Sequence, residues 1–194
     1  MGSVRIWIFR TLVVVGGGIF VYSWFQPWWS AYIVELLLDA LYIYPFGFES
    51  LIPTEYAWYI AGADTVMPAW FTPFMWVYFG LCLTALLVSL IIGSDKRIGW
   101  GKINMSLPTA LIGGVGLSYI AVVAAAALTI SANAEAFGAP FWGKVYVDLQ
   151  GRDLVSWVET GPQFSYWLAC ALGPLLIVLA LLRNKIIGKT RPIK

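Results

Sequence analysis

The chain has 194 residues, of which 60% are hydrophobic and only 11% charged, with no histidine and a formal net charge of +2. A soluble domain carries roughly 25% charged residues, so this composition excludes an ordinary water-soluble fold and points to one integral membrane domain spanning residues 1–194. The small net charge gives nucleic-acid binding no support. Without imidazole, and with Cys82 and Cys170 each set alone in an apolar run, a haem, copper or zinc centre is not expected, nor is any cofactor.

Arg5 and Arg10 precede the apolar run Leu12–Phe25, and Gln26-Pro-Trp-Trp-Ser30 follows it. A cationic start before an apolar centre also describes a secretory signal. The Trp- and Pro-rich exit lacks a small-x-small cleavage site, which favours a retained first span over about 8–29. Gly16, Gly17 and Gly18 would allow a neighbouring backbone to approach closely in lipid.

Residues 30–69 form the first connecting segment. In Tyr32–Tyr44, Glu35 and Asp39 are four apart and share a helical face while Leu36, Leu37, Ala40, Leu41 and Ile43 cover much of the rest, which predicts a short surface helix over about 32–44. Pro45, Gly47, Pro53 and Gly62 then break the chain, with Trp58 among them.

The uncharged interval between Asp64 and Asp95 predicts a second span over 70–92, with Pro68 and Pro73 near its first turn. The short polar connection 93–102 forces the next span to run back beside it. That third span, 107–131, is rich in small residues: Gly113, Gly114, Gly116, Ala121 and Ala125 give small-x-x-x-small spacings suited to tight helix packing. In the second connecting segment, 132–162, Val145, Val147 and Leu149 alternate with Tyr146 and Asp148. This predicts a short β-hairpin over about 144–158, with a helical turn after Arg152 as the alternative. The fourth span, 163–183, carries no charge before Arg183; its Ala169 and Gly173 are again four apart, and Pro174 lies within it. The sum is an all-α four-helix transmembrane bundle with two outer segments.

Charge decides the orientation. Arg5, Arg10, Lys96, Arg97, Lys102, Arg183, Lys185, Lys189, Arg191 and Lys194 lie on one side with one acid, Asp95; the other side holds nine acids and two cations, Lys144 and Arg152. Cations accumulate on the cytoplasmic side of short loops, so both termini are expected inside. Eight of the 11 tryptophans fall at or near the other face. There Trp58, Trp142 and Trp157, with Glu35, Asp39, Asp148 and Asp153, are the candidate contact surface for a partner or a cation.

The general layout, four spans with two outer segments and inner termini, is similar to that of claudin-like tetraspan proteins. A claudin-type first loop carries a cysteine pair after its tryptophan motif; residues 31–69 contain no cysteine, and no family function is carried over. No span holds an ionisable residue near its middle, which argues against a proton-coupled carrier. Without histidine there is no catalytic constellation and no catalytic residue to name. The expected function is a non-catalytic accessory subunit whose partners are membrane lipids and other transmembrane subunits or copies of itself. One alternative is a homo-oligomeric channel for a cation or small neutral molecule. A weaker one is a lipid- or quinone-handling enzyme using Glu35, Asp39 or Asp153.

Overall fold

The computed structural model describes residues 2–35, 37–51, 68–92, 97–100, 103–136, 140–149 and 154–187. Its elements are, in order, α1 (Gly2–Phe25), β1 (Trp29–Ile33), β2 (Leu38–Tyr44), β3 (Gly47–Ser50), α2 (Phe71–Ile91), β4 (Arg97–Trp100), β5 (Ile103–Ser106), α3 (Leu107–Ala136), β6 (Gly143–Leu149), β7 (Leu154–Pro162) and α4 (Phe164–Ile187). Among the described residues four helical stretches, Val4–Phe25, Phe71–Ile91, Leu107–Ala132 and Phe164–Ile187, are long and apolar enough to cross a membrane.

Local chemistry sets the helix ends. α1 stops two residues before Pro27, and the Trp28 indole donates to the Ser23 carbonyl at 2.8 Å, satisfying an oxygen of the last turn. α3 begins after Ser106, whose hydroxyl is 2.8 Å from that of Thr109, with Pro108 in the first turn, where its missing amide hydrogen does no harm. Ahead of α4, the Gln163 amide donates to the Trp28 carbonyl at 2.9 Å. The Ser165 hydroxyl donates to the Pro27 carbonyl, tying the start of α4 to the exit from α1.

The all-α expectation does not hold. Beside the four helices stand a five-stranded antiparallel sheet in the order β3-β2-β1-β7-β6 and a separate hairpin, β4-β5. The stretch 32–44 is no surface helix: it is most of a β-hairpin, with Ser30 opposite Tyr42 and Tyr32 opposite Asp39. The helical spacing of Glu35 and Asp39 is incidental. Glu35 lies in the turn, where Leu37 takes a left-handed backbone (φ 51°) and its amide donates to the Val34 carbonyl at 3.2 Å. The predicted hairpin at 144–158 is present as β6 and β7, with Tyr146 opposite Trp157.

The chain divides into two compact units. The first comprises Met1–Val21, Tyr78–Val122 and Ala169–Lys194. Its interior is built from Val13, Phe20, Ile112, Tyr119, Leu172 and Leu176, all buried, and Phe20 stacks on Phe79 at 5.3 Å while meeting Tyr119 edge-on at 5.1 Å. The second unit comprises Tyr22–Val77 and Val123–Leu168 and contains the five-stranded sheet. One sheet face closes a core of Trp29, Ala31, Ile33, Ala40 and Val158 with Ile130 of α3. The Trp29 indole donates to the Phe141 carbonyl at 2.7 Å.

Candidate functional site

The candidate surface is the other face of the sheet. Strand alternation sends every second side chain to it, and the registers assemble a row across four strands: Lys144 on β6, Glu159 on β7, Tyr32 on β1 and Asp39 on β2. Lys144 and Glu159 form an ion pair within the row. A parallel row runs through Gly161, Ser30, Tyr42 and Glu49, and the Gln163 side-chain amide donates to the Ser30 hydroxyl at 2.6 Å.

Of the residues singled out in sequence, Glu35 accepts the Trp157 backbone N–H at 2.8 Å and so caps the end of the β1–β7 ladder. Asp39 accepts the Tyr42 phenol. Trp157 meets Tyr146 edge-on at 4.9 Å, and both are exposed. Trp142, 70% exposed, lies 6.1 Å from Trp167 and covers Gly161, where an added Cβ would meet its ring at 3.3 Å. Asp148 is placed by backbone register alone, opposite Val155. Trp58 and Asp153 lie outside the described residues. The sheet thus brings Glu35 to Trp157 and Trp157 to Tyr146, while Asp39 sits in the neighbouring row and Trp142 beside α4.

Sequence reasoning passed over Tyr42, Tyr44 and Glu49. Tyr44 donates to the Glu49 carboxylate at 3.1 Å, and its ring stacks on Phe46 at 5.4 Å. Phe46 in turn lies 5.0 Å from Trp76, and its carbonyl accepts the Thr72 hydroxyl at 2.8 Å. Tyr44, Phe46, Glu49 and Thr72 line an open groove of about 480 Å³ together with Gly47, Phe48, Pro68 and Ala69. Alternation of Tyr42 and Tyr44 with Leu41 and Ile43 was the available signal.

Four carboxylates have a structural partner: a backbone amide for Glu35, a phenol for Asp39 and Glu49, an ammonium for Glu159. The described side chains of this surface present aromatic edges and paired charges. Among the described residues no three His, Cys, Asp or Glu side chains converge as metal ligands.

The tyrosines carry a pH signature. Tyr42 is raised above its ordinary value of 10, chiefly by its hydrogen bond to Asp39 and then by burial. Tyr44 is raised by burial first and by Glu49 second. The folded chain thus holds both protons more tightly than the unfolded chain does. Their contribution to stability is complete below pH 10 and is lost as pH rises through the elevated folded values. Alkaline titration followed by thermal unfolding should show this loss, and the double variant Tyr42→Phe/Tyr44→Phe should lose less over the same range.

Within the first unit the small residues fall into two groups. Gly116 and Gly173 face each other: a Cβ on Gly116 would lie 2.8 Å from the Gly173 carbonyl oxygen, and one on Gly173 would lie 3.0 Å from that of Gly116 and 2.5 Å from Ile120 Cγ1. Gly16 abuts Leu176 (3.2 Å), Gly113 abuts Ala180 (3.6 Å), and Ala169 is buried. In contrast, Gly17, Gly18 and Gly114 have nothing within 4 Å of an added Cβ, and Ala121 and, further along α3, Ala125 are exposed. Near the end of α4, Arg183 is buried at 6% exposure. It donates to the Ser106 hydroxyl at 2.8 Å and its guanidinium lies 5.7 Å from the centre of the Phe9 ring. No family model, curated protein or solved structure matches this chain.

Proposed function

We propose that the chain is a multi-pass membrane protein with both termini cytoplasmic, serving as a non-catalytic subunit that packs against other transmembrane helices in a larger complex. The observation that carries this reading is the open face of small residues: Gly114 and Ala121 on α3, with Gly17 and Gly18 on α1, border space that no described residue fills. Helices in lipid associate by close packing, which small residues permit. A small-residue face turned outward suits another helix better than it suits fluid acyl chains. Large apolar side chains flank it, Leu117 at 66% exposure and Val14 at 57%, as a lipid-facing surface requires. The charge asymmetry between the connecting segments supports the orientation.

The test is purification of the full chain from native membranes in mild detergent. Stoichiometric companion subunits are expected, and Gly114→Leu should release them while leaving the thermal stability of the isolated chain unchanged. A monodisperse chain without companions refutes the subunit reading. Orientation has its own check: in a Cys82→Ala/Cys170→Ala background, a cysteine introduced by Lys194→Cys should react with an impermeant maleimide only after the cells are permeabilised.

A further inference from the structure

β6 is a terminal strand of the five-stranded sheet, and among the described residues nothing pairs with its outer side. The direction of its backbone groups follows from its neighbour. The Trp157 carbonyl accepts the Val34 amide at 2.9 Å, and the Trp157 amide donates to Glu35 at 2.8 Å. Both polar groups of Trp157 therefore point away from β6. Opposite residues in an antiparallel ladder alternate between exchanging both hydrogen bonds and exchanging none. Tyr146, opposite Trp157, belongs to a pair that exchanges none, so its own N–H and C=O face the open edge. By the same alternation those of Lys144 and Asp148 do too.

An open edge is a template for another strand, and a lysine on it is a common means of repelling one. Here the lysine does not stand alone. Lys144 and Asp148 lie symmetrically about Tyr146, in Lys-Val-Tyr-Val-Asp. If a second β6 runs antiparallel to the first with Tyr146 opposite Tyr146, each Lys144 falls opposite the other copy's Asp148 and Val145 falls opposite Val147. The three residues whose backbone groups face the edge are then those that meet in hydrogen-bonding pairs. Sliding the strands by two residues keeps the hydrogen bonds in phase but separates the charges and shortens the overlap. We propose that β6 is a homotypic interface, through which two copies of this chain join their sheets into one continuous ladder about a two-fold axis at Tyr146. This pairing is a property of the strand itself and stands whether or not the chain has companion subunits.

The test is the dimer fraction of the full chain, measured by mass photometry in detergent and by single-molecule photobleaching in phosphatidylcholine vesicles. Wild type is expected to dimerise. Lys144→Glu sets two acids opposite each other at both ends of the ladder and also replaces the Lys144–Glu159 ion pair within each chain, whereas Asp148→Lys sets two cations at the ladder ends and leaves that ion pair in place. Each should weaken the dimer at least about 10-fold, and mixing the two variants in equal amounts should restore dimers, since each then complements the other. Tyr146→Pro removes an outward N–H without touching the β6–β7 hydrogen bonds; it should leave a folded monomer with wild-type circular dichroism, whereas Tyr146→Ala, which loses the same ring contact with Trp157 but keeps the N–H, should still dimerise. A wild type that stays monomeric, a dimer indifferent to Tyr146→Pro, or charge variants that fail to recover on mixing would each overturn the pairing. Photobleaching in mixed populations of labelled vesicles further separates pairing within one bilayer from pairing between apposed bilayers.

Discussion

Gly116→Ala is expected to destabilise the helical unit by about 3 kcal/mol, the upper part of the range for overpacking a tight interior, and to lower the melting temperature by roughly 6–12 °C. The reason lies in what the methyl group would strike. Its nearest neighbours are the Gly173 carbonyl oxygen at 2.8 Å, Ile177 Cγ1 at 3.0 Å and the Ile177 amide nitrogen at 3.1 Å, the first and last of them backbone atoms of α4. Neither backbone atom can rotate aside, so the two helices must separate and surrender packing along their contact. Gly173→Ala meets Ile120 Cγ1 at 2.5 Å, a side-chain atom able to move, but it also faces the Gly116 carbonyl at 3.0 Å, so its cost should be similar or somewhat smaller. Gly114→Ala is the control: nothing lies within 4 Å of the added group, and replacing glycine in a helix interior is neutral or mildly favourable. Unfolding can be followed by the reaction of the internal cysteines, Cys82 and Cys170, with a thiol-reactive fluorophore. Equal melting temperatures for Gly116→Ala and Gly114→Ala would show that α3 and α4 do not approach as described.

Trp28→Ala should cost about 3–5 kcal/mol, the range for removing a large buried aromatic side chain. Trp28 is 1% exposed and meets Tyr166 edge-on at 6.1 Å. Its indole N–H caps the Ser23 carbonyl, and its own carbonyl accepts the Gln163 amide. One residue thus fixes the exit of α1, the entry to α4 and the start of β1. Trp28→Phe separates these contributions: most of the ring volume stays and the donor to Ser23 is lost, at a cost of about 1–3 kcal/mol. Resistance to limited proteolysis, together with melting temperature, should rank wild type above Trp28→Phe and Trp28→Ala last. A Phe variant as weakened as the Ala variant would assign the whole effect to the hydrogen bond.

The helices were legible because an uninterrupted apolar run of lipid-spanning length has few other structures available to it. The tail end of α1 was marked by Pro27. The β6–β7 hairpin showed through the alternation of Val145, Val147 and Leu149 with Tyr146 and Asp148. The first half of the sheet did not. Residues 32–44 satisfy a helical spacing through Glu35, Asp39 and the leucines, and equally a strand spacing through Leu41, Tyr42, Ile43 and Tyr44. What decides between them is a partner far along the chain: β1 lies between β2 and β7, and no local window contains that information. The small residues show the same limit in another form. Gly113, Gly114 and Gly116 share a composition, yet two face α4 and one faces open space, because a one-residue step rotates a helix position by about 100°.

The placing of β1 beside β7 also orders events during synthesis. The Gln163–Ser30 hydrogen bond joins residues 133 positions apart, so the central ladder cannot close until the ribosome has delivered β7 as well as β1. Until then β1 can pair only with β2, whose other side is taken by β3, and β1 presents bare amides and carbonyls to whatever lies nearby. A translation product that stops before β7 would therefore carry an adhesive strand, making such truncated chains the natural clients of chaperones and proteases.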